Sequence, residues 1–116
     1  MIKRFETILL EEAFEFIQKQ SLKSRTKILQ NIRRAEQHAD PKFFKKLKQD
    51  IWEIRTLYAG IQYRLFAFWD KENKTRTLVI ATHGIIKKTS KVDKKEMEKA
   101  ENIRTIYFKN KKNEKL

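Results

Sequence analysis

The chain has 116 residues, and its 28 lysines and arginines outnumber its 15 aspartates and glutamates, which leaves a formal net charge of +13. This excess predicts a polyanionic partner, either nucleic acid or an acidic protein. The absence of cysteine excludes disulfides, a thiolate nucleophile and cysteine-ligated zinc. The length suits one domain with a modest core, and the lack of a membrane-length apolar run or a secretory signal predicts a cytoplasmic protein with no membrane association.

The first half of the sequence has helical periodicity. Residues 1–5 suggest a short strand, and Thr7 is a candidate N-cap for a first helix. Ser24 is a candidate N-cap for a second helix, and the pair Asp40–Pro41 predicts a short helical turn over residues 42–48. The first helix shows the i, i+3, i+4, i+7 spacing of one apolar face, formed by Leu10, Ala13, Phe14 and Ile17.

The second half changes to the alternating pattern of β-strands. Two runs within residues 50–70 are separated by a turn at Ala59–Gly60, and a third run covers residues 75–84. A last helix begins at Asp93, with Glu96 at the capping-box position. This order predicts a small α+β domain over residues 1–108, with two helices, three antiparallel strands and a final helix, followed by a basic, flexible tail over residues 109–116.

Strand alternation sorts the candidate site residues onto one face of the predicted sheet. If the uninterrupted apolar sets pack against the two N-terminal helices, Arg55, Arg64 and His83 share the opposite face. Lys87 and Lys88 then leave the third strand at the rim of that face. This combination suits a phosphodiester backbone, because guanidinium donors match phosphate geometry. Further candidates for RNA binding are Lys45, Lys46, Lys48, Lys91 and Lys94.

Each of these side chains also has a purely structural interpretation, which the sequence leaves open. Arg55 and Arg64 are equally consistent with solvated arginines or with pairing to Glu53. His83 is equally consistent with a hydrogen-bonded structural histidine. The lysines after the third strand are also typical of an exposed loop.

Two aromatic residues, Phe66 and Phe68, share the face of the arginines. Two arrangements remain open for them. Either the apolar stripe of the last helix covers them, or they stack on nucleic-acid bases.

Four short motifs follow one another between residues 53 and 100. They are Glu53-Ile54-Arg55, Tyr63-Arg64, His83-Gly84-Ile85 with Lys87-Lys88-Thr89, and the helical segment from Asp93 to Ala100. Their order and spacing resemble the RelE/ParE/HigB toxin superfamily, most closely its phage-derived Gp49-like, HigB-type branch. The resemblance covers roughly residues 41–107. It implies a RelE-like fold, which is a twisted, mostly antiparallel sheet with two N-terminal helices packed on one face and a C-terminal helix.

The resemblance also implies a function. Many members of the superfamily are toxins of type II toxin–antitoxin systems that cut mRNA in the ribosomal A site and thereby inhibit translation. In this branch the cognate antitoxin is usually a small helix-turn-helix protein. Two alternatives stay open, namely a ParE-like toxin that poisons DNA gyrase and a non-catalytic module that binds RNA or a protein partner.

Endoribonuclease chemistry of this kind needs few components. A base takes the proton of the 2′-OH, cations stabilise the charge that develops on the phosphoryl oxygens, and an acid protonates the leaving 5′-oxygen. Arginines suit the second task, and His83, whose ordinary pKa is about 6.5, suits proton transfer. No cofactor or metal is expected, because the chain has no cysteine and only two histidines. The predicted catalytic set is Arg55, Arg64, His83, Lys87 and Lys88.

Overall fold

The computed structural model, which describes residues 2–91 and 93–114, has five strands and three helices in those ranges. The strands are Glu6–Leu9 (β1), Phe44–Lys46 (β2), Trp52–Tyr58 (β3), Ile61–Asp70 (β4) and Leu78–Lys87 (β5). The helices are Glu11–Gln18 (α1), Leu22–Gln37 (α2) and Lys94–Glu114 (α3). The predicted α+β class is confirmed.

One sheet contains all five strands in the order β1-β5-β4-β3-β2. The pairs β2–β3, β3–β4 and β4–β5 are antiparallel, and β1 pairs in parallel with β5. The mostly antiparallel sheet is therefore confirmed, and the three strands predicted from alternation are its central ones. The two edge strands, β1 and β2, lie in segments where the sequence predicts other structures.

The predicted caps of the first two helices are wrong. Thr7 lies in β1, where its amide and hydroxyl donate to Glu36 Oε2 at 3.0 and 2.8 Å. Helix α1 begins after Leu10, which provides no side-chain cap. Helix α2 is capped by Ser21, whose hydroxyl accepts from the backbone amide of Ser24 at 3.3 Å. Pairing of β1 with β5 outweighs the local capping preference of Thr7, because it satisfies several backbone groups at once.

The predicted helical turn over residues 42–48 is also wrong. Asp40 does start a turn, since its Oδ1 accepts from the Lys42 amide at 2.9 Å. The chain then enters β2, where Phe44 pairs with Ile54 of β3. Phe44 is buried and stacks on Trp52 with ring centroids 4.7 Å apart. This aromatic contact and the strand pairing favour the extended conformation over a helical turn.

The hairpin between β3 and β4 matches its prediction. Ala59 and Gly60 have positive φ angles of 51° and 77°. Two consecutive residues with positive φ make the tight connection whose twist matches that of the flanking strands. The resulting register pairs Arg55 with Arg64 across the hairpin.

The sheet separates two apolar clusters. The first cluster joins α1 and α2 to one face, through residues that include Ile17, Ile28, Ile32, Ile54, Leu65 and Val79. The second joins α3 to the other face, through residues that include Phe66, Phe68, Leu78, Ile80, Met97 and Ala100. Phe66 and Phe68 are therefore covered by the last helix, which is one of the two arrangements that the sequence leaves open.

A β-bulge in β5 determines where His83 points. In the β4–β5 register Ala67 pairs with Ala81 and Phe66 pairs with His83, so Thr82 is an extra residue. Without the bulge, strict alternation would place His83 on the same face as Ala81. The bulge turns the imidazole toward α3, where it stacks on Phe66 with ring centroids 5.0 Å apart.

The sequence-based facing of β5 before the bulge is wrong. In the sequence, Leu78 and Ile80 alternate with Val79, Ala81 and His83, so a prediction that puts His83 opposite the two N-terminal helices puts Leu78 and Ile80 against those helices. In the structure Leu78 and Ile80 face α3, and Val79 joins the cluster of α1 and α2. The expectation that His83 shares the face of the arginines holds only because the bulge reverses the alternation.

Helix α3 extends to Glu114, so residues 109–114 are helical where the sequence predicts a flexible tail. Residues 115 and 116 lie outside the described residues.

Tyr107 and Lys111 both donate to Asp70 Oδ2 at 2.7 Å, and Asp70 is fully buried at the end of β4. Burial and the hydrogen bond to Asp70 raise the pKa of Tyr107. Burial opposes ionisation of Asp70, but the hydrogen bonds from Lys111 and Tyr107 still hold its pKa below the ordinary value.

The lengths and compositions of the helices bear on membrane spanning. Within residues 2–91 and 93–114, none combines the length and the apolar character needed to cross a bilayer.

Gly84 on β5 gives the first prediction, because a Cβ atom there would overlap the ring of Phe16 on α1. We expect Gly84→Ala to lower the free energy of unfolding by about 1–3 kcal/mol through overpacking. Chemical denaturation measures this loss. In a Phe16→Ala background the same substitution has room and should cost much less; an equal cost in both backgrounds would contradict the proposed clash.

Candidate active site

A basic cleft of about 420 Å³ opens on the face of the sheet that carries α3. Its lining includes Lys45, Glu53, Arg55, Gln62, Arg64, Lys87 and Lys88. Neighbouring strands supply these residues in matching pairs: Lys45 opposite Glu53, Arg55 opposite Arg64 and Gln62 opposite Lys87. Side chains directly opposite each other on one face lie about 5 Å apart at Cβ. The register of β2, β3, β4 and β5 therefore assembles the cleft.

Two arginines face each other across β3 and β4. Like charges at directly opposite positions repel, and the Glu53 carboxylate compensates for this repulsion. Its Oε1 lies 3.4 Å from Nε of Arg55 and 3.6 Å from Nε of Arg64. Glu53 and Arg64 are buried, with 3% and 4% of their surfaces exposed. The site therefore contains a compact arrangement of two cations around one anion.

The arginine side chains are held by other groups. Arg64 donates from Nη2 to Gln62 Oε1 at 2.7 Å and from Nη1 to the Tyr63 carbonyl at 3.3 Å. Arg55 donates from Nη1 to the Pro41 carbonyl at 3.2 Å. Burial lowers the pKa of Arg64, and the charge of Arg55 lowers it further, against the opposing effect of Glu53. An arginine pKa starts so high that the group stays charged near neutral pH.

The Nε atoms of both arginines are buried and have no hydrogen-bond partner among the described residues. Most buried donors in folded proteins are paired, because an unpaired donor loses its hydration without compensation. Arg64 therefore places a fixed charge beside a cleft lined by lysines, although its unpaired Nε is itself closed to solvent. This arrangement suits an anionic ligand.

His83 does not line the basic cleft. It is 3% exposed, its Nε2 lies 3.2 Å from Glu96 Oε2 on α3, and its Nδ1 lies 2.8 Å from Thr82 Oγ1. Burial lowers the pKa of His83 and outweighs the opposite effect of the Glu96 carboxylate, while Lys99 lowers the pKa further. Both ring nitrogens therefore have a partner, Glu96 at Nε2 and Thr82 at Nδ1. The structure thus places His83 as a hydrogen-bonded buried histidine.

The predicted lysines divide between different surfaces. Lys45, Lys87 and Lys88 line the basic cleft, and Lys91 lines an adjoining cavity described below. Lys46 follows Lys45 on β2 and therefore points to the other side of the strand.

Three predicted RNA-binding lysines lie outside both the cleft and the adjoining cavity. Lys46 lines a separate groove beside Trp52. Lys48 forms an ion pair with Glu101 of α3. Lys94 is the exposed first residue of α3. The structure therefore does not bring these three together with the arginines.

A smaller side cavity of about 230 Å³ adjoins the basic cleft. The two share a wall that includes Glu53, Lys87, Lys88 and Thr89. Leu47 also belongs to this shared wall, and the remaining lining of the side cavity includes Phe66, Ile85, Lys91 and Asp93. It therefore combines an apolar part with charged groups.

Comparison with protein families gives a match to the model described as "Phage derived protein Gp49-like" over residues 15–108. The match spans most of the chain and includes every residue of the basic cleft. The chain belongs to the Gp49-like family. This confirms the predicted membership in the phage-derived, HigB-type toxin branch, and it is consistent with a toxin of a toxin–antitoxin system. Comparison with curated proteins gives no match.

Glu53 is a cleft residue of this Gp49-like protein whose central position the sequence analysis did not predict. The sequence presents it only as a possible partner for Arg55 or Arg64 and as part of the motif Glu53-Ile54-Arg55. In the structure its carboxylate contacts both arginines and lines both the cleft and the side cavity. A signal did exist, because strand alternation already places Glu53 on the face of Arg55, and buried carboxylates are rare without a specific partner or role.

The lowered pKa of His83 predicts a specific pH dependence of stability. The unfolded state, in which the pKa is about 6.5, binds a proton more readily than the folded state. The free energy of unfolding should therefore fall as the pH decreases from about 6.5 toward the folded-state pKa. His83→Gln should show a smaller decrease over this range in denaturant titrations, whatever its absolute stability. An identical pH slope in the two proteins would contradict a buried neutral histidine.

Proposed function

We propose that this Gp49-like protein is the toxin of a type II toxin–antitoxin system and that it cleaves mRNA in the ribosomal A site. The observation that carries the proposal is the pair Arg55 and Arg64, which lie side by side in a cleft that is also lined by Lys45, Lys87 and Lys88. Glu53 is the one acidic residue in the lining of this cleft, and a phosphodiester supplies further negative charge and acceptor oxygens to match its cations. Family membership supports the same assignment.

The arginines stabilise the charge that develops on the phosphoryl oxygens. Arg64 is fixed by Gln62 and by a backbone carbonyl, and Arg55 by the Pro41 carbonyl. Donors held in place before the reaction need little rearrangement as the transition state forms. Guanidinium groups also remain charged throughout, so they serve as electrostatic groups and not as proton donors.

In this proposal, other residues of the cleft transfer the protons. Glu53 lines the cleft beside both arginines, and in this proposal its carboxylate takes the proton of the attacking 2′-OH. The 2′-oxygen forms a bond to phosphorus while the bond to the 5′-oxygen breaks, and Lys87 or Lys88 donates a proton to that oxygen. The products are a 2′,3′-cyclic phosphate and a free 5′-hydroxyl. His83, which is buried against Glu96, acts by holding α3 beside the cleft.

The same proposal includes a partner and a location. A free toxin of this kind in the cytoplasm requires neutralisation by a cognate antitoxin, and a small helix-turn-helix protein is the partner that the family resemblance implies. The net charge of +13 supports binding to acidic surfaces and to the ribosomal RNA that surrounds the A site.

Induced expression of the chain alone tests the proposal against its alternatives. We expect rapid arrest of amino-acid incorporation, with mRNA cleaved at A-site codons, before DNA synthesis stops. Pulse labelling and mapping of mRNA 5′ ends measure these effects. A gyrase poison would instead produce DNA breaks first, and a binding module would leave mRNA intact. Normal growth with verified soluble protein would refute a toxin function.

Arg64→Ala provides the site-directed prediction. Loss of one preorganised donor should slow cleavage by about a hundredfold to a thousandfold, whereas ribosome binding should change little because many other cations remain. Single-turnover cleavage on programmed ribosomes measures the rate, and thermal melting checks the fold. Wild-type cleavage by folded Arg64→Ala would show that the cleft is not the active site.

Adjacent lysines of β2 supply a matched control. Lys45→Ala and Lys46→Ala remove the same charge from neighbouring positions, but only Lys45 lines the cleft. Lys45→Ala should weaken cleavage more than Lys46→Ala. Equal effects would indicate that net charge matters and the position of the cleft does not.

A further inference from the structure

The lining of the side cavity is partly apolar, and electrostatic attraction to a phosphate backbone does not require an apolar surface. Its lining joins Phe66 and Ile85 to the wall that it shares with the basic cleft, and Leu47 adds a third apolar side chain within that wall. A ligand that reaches from the cleft into this cavity places a charged part beside the arginines and a second part against apolar groups. RNA has this composition, since each phosphate is adjacent to a base.

The volume of the side cavity limits what can enter. At about 230 Å³ it lies below the range of about 300–1,000 Å³ that is usual for drug-sized ligands. A single flat ring system is therefore a better match than a whole nucleotide. Proteins that read single-stranded RNA commonly take up one unstacked base in this way, with apolar or aromatic contact to the ring and hydrogen bonds to its edge.

The aromatic wall of the side cavity is the ring of Phe66, which contacts with neighbouring residues hold in place. Phe66 stacks on His83 with an interplanar angle of 12°, and His83 in turn contacts Glu96 of α3. Phe66 is also part of the apolar cluster that contains Met97. A wall that is already in position loses little conformational entropy when a ligand binds.

The polar groups of the side cavity favour one base. Asp93 supplies a carboxylate, of which Oδ1 caps α3 by accepting from the Glu96 amide at 3.2 Å. Lys88 and Lys91 supply donors. Guanine offers N1–H and N2–H donors to a carboxylate and O6 and N7 acceptors to a lysine. Uracil has no amino group, and adenine and cytosine have no ring N–H beside theirs.

We propose that the side cavity binds one unstacked guanine of the RNA next to the scissile phosphate, with Asp93 Oδ2 accepting from the guanine edge. This inference rests on the proposed function, because it assumes that RNA occupies the basic cleft. It makes Asp93 a specificity-determining residue, and it assigns the cleavage preference to a contact made by the protein itself.

Asp93→Asn tests the proposal with little risk to the fold, because asparagine and aspartate are equally good helix N-caps. The amide presents an N–H group where guanine also donates. Programmed ribosomes carrying each base at each A-site codon position should show a guanine preference in the wild type. One base contact discriminates by about 5- to 150-fold, and Asp93→Asn should remove that factor while cleavage of the other codons changes little. Glu98→Gln, an exposed charge change on α3, is the matched control and should retain the preference.

A second readout separates this proposal from the proposed function. Calorimetric or NMR titration of the free protein compares guanosine 5′-monophosphate with uridine 5′-monophosphate, and tighter binding of the former that Asp93→Asn abolishes supports the guanine site even if no cleavage occurs. Cleavage without any base preference, together with equal or absent binding of the two mononucleotides, would overturn the guanine site and leave the nuclease proposal standing. Absence of cleavage on every codon would instead refute the nuclease proposal.

Discussion

The cross-strand contact between two arginines and one glutamate is the constraint on which the candidate site depends. Arg55 and Arg64 are forced together by the β3–β4 register, and the Glu53 carboxylate between them offsets their repulsion. Ion pairs at 3.4 and 3.6 Å are too long for hydrogen bonds, so the contact neutralises charge without satisfying the Nε donors. Buried pairs of this kind contribute little to stability by themselves. The lysine-lined cleft beside them can accommodate an incoming anion.

Helix α3 connects the parts of the site. At its beginning, Glu96 contacts the buried His83, and at its far end Tyr107 and Lys111 hydrogen-bond to Asp70. Between these anchors the helix covers the apolar residues of β4 and β5. The lysine-rich segment after β5 is thereby attached at both ends to fixed elements. Loops on a rigid scaffold are a common location for functional residues, and here the scaffold places lysines on the rim of both cavities.

For the proposed function, the positions of the lysines and arginines matter more than their number. The chain has 28 lysines and arginines, but only some of them line the basic cleft. Lys45 and Lys46 are neighbours in sequence and face different surfaces. The excess of positive charge supports attraction to RNA at long range, whereas specific chemistry and base selection require the groups that strand register, burial and helix contacts bring together.

The sequence by itself determined the α+β class, the three central strands, the hairpin turn at Ala59–Gly60, the Asp93 cap of α3 and the shared face of Arg55 and Arg64. These features follow from local periodicity and turn chemistry, which neighbouring residues encode. Only the tertiary structure decided the edge strands β1 and β2, because short segments become strands through pairing with distant partners. It also decided the bulge at Thr82, which turns His83 toward α3, and the burial of Glu53 between two arginines. A one-residue bulge reverses the facing of every later side chain, and that reversal depends on packing between elements that no local pattern records.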